Sequence, residues 1–374
     1  MKIDDKTSHN SPSLRFPEFT GEWERCVLGD YGKVVTGNTP PTKDIENYEN
    51  GTYLWASPAD LGTHKLISET KTKLSSKGFT KTRPLSKGSV LVTCIGSTIG
   101  KTGMATREMS TNQQINSIVV NENNDNEFVY YVVQSAFPHY LSSIAVQAVP
   151  IISKSSFELL PSKRPSLQEQ NKIGKFLSLL DERISTQHRL IDRLQSLMIG
   201  IAQKIAHSNK PNVRISDCLE CSSSALQESE VNKTGKYPVY GANGIVGYID
   251  KYHTQNEAIY IIKDGSGVGG VSYVTGKCSS TGTLNILQAK NGHSLKYLYY
   301  LLKVFNFVPY KTGMAIPHIY FKDYGKAKIF CPAYPEQLEY AKLLSSIDGN
   351  LRIALDSLKN FNLQKQYLLR HMLI

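Results

Sequence analysis

An internal repeat constrains this chain more than any other feature. Pro165-Ser-Leu-Gln-Glu169-Gln170 matches Pro332-Ala-Tyr-Pro-Glu336-Gln337 at an offset of 167 residues. In the same frame, without a gap, Lys175 meets Lys342, Leu177 meets Leu344, Ser178 meets Ser345 and Asp181 meets Asp348. Upstream, Pro150 meets Pro317 and Ile152 meets Ile319. A second match runs at offset 169: Val90-Leu-Val-Thr-Cys-Ile-Gly96-Ser97-Thr-Ile-Gly100 pairs with Ile259-Tyr-Ile-Ile-Lys-Asp-Gly265-Ser266-Gly-Val-Gly269, and Asn116 pairs with Asn285. Self-similarity on this scale means that one architecture is built twice. Elsewhere the halves diverge, and the first carries extra residues near its start. The pattern is a tandem duplication with a preserved frame and divergent interiors.

After each Pro...Glu-Gln signal the periodicity turns helical. In the first copy Ile173, Leu177, Leu180, Ile184, Ile191, Leu194, Met198, Ile201 and Ile205 recur at steps of four and three, with polar Gln187 in the series. The second copy runs Tyr340, Leu344, Ile347, Leu351, Ala354, Leu358, Phe361, Lys365, Leu368 and Met372, at the same heptad positions. Such sustained spacing makes a coiled-coil seam. A helix from about Leu167 to His207 would be roughly 60 Å long at 1.5 Å per residue. Ordinary core helices average about 11–12 residues, so length argues against two amphipathic helices in separate cores. The expected pairing is intramolecular and antiparallel, through Leu177, Leu180, Ile184, Ile191 and Leu194 on one helix and Leu344, Ile347, Leu351, Leu358 and Phe361 on the other. The alternative is a helix surface held for a partner protein, and different faces can serve both ends.

A mixed segment precedes each helix. The first has strand-like runs at Ser89–Ile95 and Ile115–Val120 and a helix-like run at Asn126–Phe137. The second repeats the order with Ala258–Lys263, Leu284–Gln288 and Leu295–Val304. The fold class is therefore mixed α/β: two globular α/β units joined by two long helices, with a pseudo-twofold internal repeat. The expected division is a tail at 1–20, a first unit at 21–165, a helix at 166–210, a second unit at 211–333 and a helix at 334–374.

With 374 residues the chain is long enough for two ordinary domains. Its formal charge of +11 favours a polyanionic partner, nucleic acid above all. Residues 60–110 hold nine Lys/Arg against three acids, and residues 211–333 hold thirteen against eight. Such stretches suit phosphate contacts, which give affinity without reading sequence. A solvated basic face is the plainer alternative. Candidate DNA contacts are Lys71, Lys73, Lys77, Lys81, Arg83, Ser97, Lys101, Lys263, Ser266 and Lys311.

Several other classes find no support. No apolar run approaches the roughly 20 residues needed to span a bilayer, and the polar stretch Met1 to Pro17 does not read as a signal peptide. A cytoplasmic protein is expected. The six cysteines read as free thiols. Cys218 and Cys221 form one CxxC pair, but no second pair or suitably spaced histidines accompany it, so no metal site is expected. Gly96–Gly100 continues as Lys101-Thr102, yet a phosphate loop needs four residues between its first Gly and the Gly-Lys pair, and here there are three. A hairpin or strand-helix turn is the better reading, although its amides could still sit near a phosphate or base. Phe307-Val-Pro-Tyr310 holds only one Pro of a methyltransferase Pro-Pro-aromatic motif, and no nucleophile-base motif stands out. No catalytic residue, metal or cofactor is expected.

Two divergent units, each closed by Ala-Val/Ile-Pro-x-Ile (148–152 and 315–319), then Pro...Glu-Gln and a long heptad helix, resemble the type I restriction-modification specificity subunit, the HsdS family. The resemblance covers the chain from about Gly21. It departs at Tyr-Pro-Glu-Gln, which stands where the first copy has Leu-Gln-Glu-Gln and leaves the start of the second helix open. The resemblance implies that each unit is a target recognition domain reading one half of a split double-stranded DNA site. The helices would set the gap between half-sites and dock two methyltransferase subunits, which carry S-adenosylmethionine and adenine methylation. Restriction subunits would add ATP-driven translocation and cleavage, and this chain would be non-catalytic. A duplicated chain of this kind would present two reading heads about one helical turn of DNA apart, roughly 34 Å. The competing reading is a coiled-coil scaffold without sequence-selective DNA binding.

Overall fold

Each half of the chain wraps a helix against a central sheet whose strands sit at matching sequence positions. The computed structural model describes residues 11–143, 151–207 and 210–373. Ala148 and Pro150 of the first closing motif lie outside the described residues.

In the first half, strands β1 (Gly32–Thr36), β2 (Leu66–Ile67), β3 (Val90–Thr93), β4 (Thr102–Ala105) and β5 (Ile115–Val120) form a sheet of order β1-β5-β3-β4-β2. In the second half, β6 (Leu219–Ser223), β7 (Glu257–Ile262), β8 (Val271–Thr275) and β9 (Leu284–Ala289) form a sheet of order β6-β9-β7-β8. All neighbours are antiparallel except the short edge strand β2, which runs parallel to β4. The duplication extends to register. Val90 faces Ile118 and Thr93 faces Ile115 in one sheet. Ile259 faces Leu287 and Ile262 faces Leu284 in the other, each 169 residues on. A one-residue slip would turn every side chain to the wrong face, and Val90, Leu91 and Val92 are all fully buried. Both copies also keep a parallel contact onto a short strand before the central one, Trp55 opposite Ser110 and Val239 opposite Ser279.

Helices α1 (Asn126–Ser143) and α3 (Leu295–Val304) follow the central strands. Phe128 through Val133 are all buried, as are Tyr297 through Leu302. A helix apolar on every side belongs inside a core. The long helices are α2 (Leu167–His207) and α4 (Tyr334–Met372). Pro335 falls in the first turn of α4, where its missing N–H costs nothing, so the departure from the first copy's motif does not delay the helix.

The repeated glutamine explains why each long helix starts where it does. Gln170 is buried; its Oε1 accepts from the Asp125 amide at 3.1 Å, and its Nε2 donates to the Pro165 carbonyl at 3.1 Å and to Asn124 Oδ1 at 3.2 Å. Gln337 repeats this: Oε1 accepts from the Ser294 amide at 2.8 Å and Nε2 donates to the Pro332 carbonyl at 2.8 Å. One amide thus ties the start of the long helix to the start of the helix before it. The glutamates diverge. Glu169 is buried, takes both oxygens to Arg15 at 2.6 Å and accepts from Trp23 Nε1 at 3.3 Å. Glu336 is exposed and accepts from Tyr340 Oη at 2.8 Å.

The chain packs as two compact units, Met1–Thr186 with Leu358–Ile374, and Gln187–Ser357. Each long helix is therefore divided between the units instead of standing apart from both. In the first unit Ile173, Leu177 and Leu180 of α2 share a core with Phe128 of α1 and with Leu368, Met372 and Leu373 at the end of the chain. Ile184 and Phe361 pack at its margin. Lys365 Nζ lies 2.6 Å from Asp181, and the Arg183 guanidinium lies 4.6 Å from the Phe361 ring centroid. Contacts move up α2 as they move down α4, so the segments run antiparallel. In the second unit Ile191, Leu344, Ile347, Leu351 and Ala354 are buried, Leu194 is half-buried, and Gln187 Nε2 donates to the Ala354 carbonyl at 2.9 Å; Leu358, where the first unit resumes, is half-buried. The helices also expose apolar side chains: Leu179, Leu363 and Tyr367 in the first unit, and Leu190, Leu197, Leu343 and Ile353 in the second.

Candidate nucleic-acid interface

The Gly-rich segments are hairpin turns. Gly100 N donates to the Thr93 carbonyl and Thr93 N to the Lys101 carbonyl, both at 2.9 Å. Gly269 N and Gly270 O make the same closed pair with Ile262. Gly96 and Gly100 have φ of 96° and 88°, and Gly265 and Gly269 have 95° and 90°. Left-handed backbone favours glycine at all four positions. Gly100 and Gly269 carry a second constraint: an added Cβ would lie 3.0 Å from Phe137 and 3.1 Å from Phe307. The hairpin therefore presses each unit's β-turn onto an aromatic ring, while Ser97 and Ser266 at its tip are exposed.

Beside each hairpin runs the end of the closing motif. Ile152 N donates to the Cys94 carbonyl at 2.8 Å, which sets Ile95 opposite Ile151. Ile319 N donates to the Lys263 carbonyl at 2.9 Å, which sets Asp264 opposite His318. The backbone frames agree, and the side chains they display do not. The first unit shows two isoleucines, Ile151 being 53% exposed. The second shows an acid and an imidazole, with Asp264 Oδ1 and His318 Nδ1 2.7 Å apart. Thr312 and His318 then exchange hydrogen bonds at 2.9 and 2.7 Å, closing a small loop with Met314 fully exposed at its tip. Asp264, His318 and Met314 were not marked by sequence reading. The repeat offset was the available signal, because it places 264 against 95 and 318 against 151.

The structure sorts the basic candidates into two kinds. Ser97 and Lys101 belong to the first hairpin, and Lys263 and Ser266 to the second. Lys311 is exposed next to the 312–318 loop. Lys73, Lys77, Lys81 and Arg83 are not part of the hairpin and are braced internally. Lys73 pairs with Glu69 at 2.6 Å, Lys77 with Glu46 and Asp44, and Lys81 with Asp44 at 2.9 Å and Asn47 at 2.8 Å. Arg83 donates to the Thr36 carbonyl at 2.7 Å. The hydrogen bond from Lys81 holds the Asp44 carboxyl below its ordinary range, and Lys73 does the same to Glu69. The basic run thus carries less unbalanced charge than its composition implies. Lys71 is exposed, with its backbone N–H given to Asp60 at 2.8 Å.

Among the described residues no helix is long and apolar enough to cross a membrane. The family model for the type I restriction modification DNA specificity domain matches residues 20–196 and 208–360. The type I restriction enzyme MjaIX specificity subunit of Methanocaldococcus jannaschii is 27% identical over 48% of this chain and 43% of its own length. The HindI specificity subunit of Haemophilus influenzae is 27% identical over 47% of this chain and 40% of its own. The matches thus span less than half the length of these curated relatives. The EcoprrI specificity subunit of Escherichia coli is 19% identical over 87% of this chain and 88% of its own. In fold, the chain is similar to the type I restriction-modification S subunit from M. genitalium, with a TM-score of 0.70 and 17% identity over 97% of this chain and 99% of the other. Two units of one framework, register for register, with long helices and two separate matches to one domain model, place the chain: it belongs to the type I restriction modification DNA specificity domain family.

Proposed function

We propose that this chain is the DNA-reading specificity subunit of a type I restriction-modification enzyme, with each unit reading one half of a bipartite double-stranded target. The observation that carries this reading is the contrast at the hairpins. One backbone frame, preserved in register and in its glycine φ angles, displays Ile95 and Ile151 in one unit and Asp264 and His318 in the other. A duplicated reader with two different half-sites needs a constant frame and variable exposed side chains, because base edges are told apart by hydrogen-bonding and apolar contacts. The net charge of +11 supplies the salt-dependent, sequence-independent part of binding.

Residues 21–165 and 211–333 are assigned to reading, and residues 166–210 and 334–374 to spacing and docking. Two methyltransferase subunits sit on the outer helix faces, where Leu179 and Leu363 in one unit and Leu197 and Leu343 in the other are exposed apolar side chains without a role in the cores. Restriction subunits join through that complex. The chemistry of methylation and cleavage belongs to those partners, and this chain contributes recognition in the cytoplasm.

Exchanging residues 21–165 for those of another allele tests the reading. The methylated motif in host DNA should change in one half only. A change in both halves, or in neither, rejects the two-reader assignment, and absence of sequence-selective binding by the assembled complex favours a plain scaffold.

A further inference from the structure

Cys218 ends the short helix Ile215–Cys218 that leads into the second unit's sheet, and Cys331 lies on the segment that leads into α4. His293 sits in the turn between β9 and α3. The ligand atoms of these three side chains all lie within 4.8 Å of one another. Cys218 is 0% and Cys331 8% exposed. The backbone of Cys331 is clamped by Asn212, whose Nδ2 donates to its carbonyl and whose Oδ1 accepts from its amide, both at 2.8 Å. His293 Nδ1 is buried and has no hydrogen-bond partner. A buried imidazole nitrogen without a partner is unfavourable, and a bound cation would supply one.

The first unit solves the same structural problem with hydrogen bonds. There the short helix Leu28–Tyr31 ends in Tyr31, whose hydroxyl reaches Ser162 Oγ and the Lys163 carbonyl at 3.0 Å, tying the entering chain to the leaving strand. Asn124, which matches His293 in the repeat, donates to the Tyr31 carbonyl at 3.5 Å. In the second unit the tyrosine is replaced by a smaller cysteine, the asparagine by a histidine, and a second cysteine comes in on the leaving chain. Hydrogen-bonding groups have given way to two sulfurs and an imidazole nitrogen, the donor set of zinc.

We propose that Cys218, His293 and Cys331 bind one zinc-class divalent cation, which clips the entry and exit of the second unit to the turn before α3. Both thiols give up their protons to solvent on binding, and the ion forms two sulfur bonds and one nitrogen bond. A water completes the tetrahedron. The cysteines lie far apart in sequence, so the clip closes residues 218–331, which hold the second unit's sheet and α3, into one loop. Cys221 of the CxxC pair takes no part, which is why the motif spacing gave no signal: the partners of Cys218 are supplied by the fold.

Cobalt(II) titration of the full-length chain under reducing conditions tests this. About one equivalent should bind, with thiolate-to-cobalt charge-transfer absorption and the ligand-field bands of a tetrahedral site. Cys331→Ser and His293→Gln should each weaken binding by more than about tenfold, and Cys221→Ser should leave it unchanged. Zinc should raise the Tm of the parent chain and not that of His293→Gln. Circular dichroism establishes that each variant is folded, and His293→Gln, at a half-exposed position, decides the matter should Cys331→Ser fail to fold. The proposal is overturned if the reduced chain shows no thiolate-to-cobalt absorption, if the two ligand variants bind like the parent, if Cys221→Ser abolishes binding, or if peptide mapping of chain purified without reductant finds Cys218 and Cys331 joined as a disulfide.

Discussion

Glu169 and Glu336 hold the same place in the repeated motif and meet different surroundings. Glu169 is buried against Arg15 and Trp23 Nε1, so Glu169→Ala strands a guanidinium and an indole N–H. Breaking such a buried pair costs about 3–5 kcal/mol. Glu336 is exposed, and Glu336→Ala should change stability by less than about 0.5 kcal/mol. The glutamines beside them behave alike, because both feed a buried backbone N–H. Gln170→Ala and Gln337→Ala should each cost about 1–3 kcal/mol. Urea denaturation of the four variants measures this, and equal effects of the two glutamate variants would contradict the burial difference. Nothing in a single sequence separates the two glutamates, since Arg15 and Trp23 lie far from Glu169 along the chain.

At the scale of elements, the long helices present two kinds of apolar side chain. Leu177 and Leu344 share one position of the repeat and are both fully buried. Leu177→Ala or Leu344→Ala should cost about 2–5 kcal/mol by leaving a cavity. Leu179 is 54% and Leu343 48% exposed. Leu179→Ser and Leu343→Ser should barely move the Tm of the free chain and, under the proposed function, should weaken binding of the proposed methyltransferase subunits, as read by calorimetric titration. If the exposed pair destabilised the chain as much as the buried pair, the outer faces would be core and not docking surface. Heptad spacing marks an apolar stripe along each long helix. It did not reveal that Ile173, Leu177 and Leu180 also bury against α1, because periodicity identifies an apolar stripe and not the number of elements that cover it. The strands were legible for a related reason. Ile115–Val120 and Leu295–Val304 keep their expected bounds as strand and helix, since continuous burial leaves a local apolar signal.

For the whole molecule, the division of the long helices between two compact units has a consequence. A fragment ending at Thr186 lacks the segment from Leu358 onward, and so loses Leu368, Met372 and Leu373 from its core. Such a fragment should melt below the parent chain, and a peptide of residues 358–374 added in trans should raise its Tm. No effect of the peptide would mean that the core closes without it. Insertions at the junction near Ala206–Pro211, of which Ser208 and Asn209 lie outside the described residues, should lengthen or shorten the gap in the methylated motif and leave both half-sites unchanged. A changed half-site with a constant gap would contradict a spacer role.

The sequence by itself determined what is local or repeated: the duplication and its offsets, the heptad pattern, two central strands and the helix after them in each unit, and the family to which such a pattern belongs. Those features depend on spacing along the chain, and spacing is visible in one dimension. Only the tertiary structure decided which acids neutralise Lys73, Lys77 and Lys81, which side chains stand opposite each other beside the hairpins, and what accompanies Cys218. Lys77 meets Glu46, Asp264 meets His318, and Cys218 meets Cys331 across long stretches of chain. Charge compensation, display at a reading surface and assembly of a ligand set act through distances of a few ångströms, and those distances exist only once the sheets have closed.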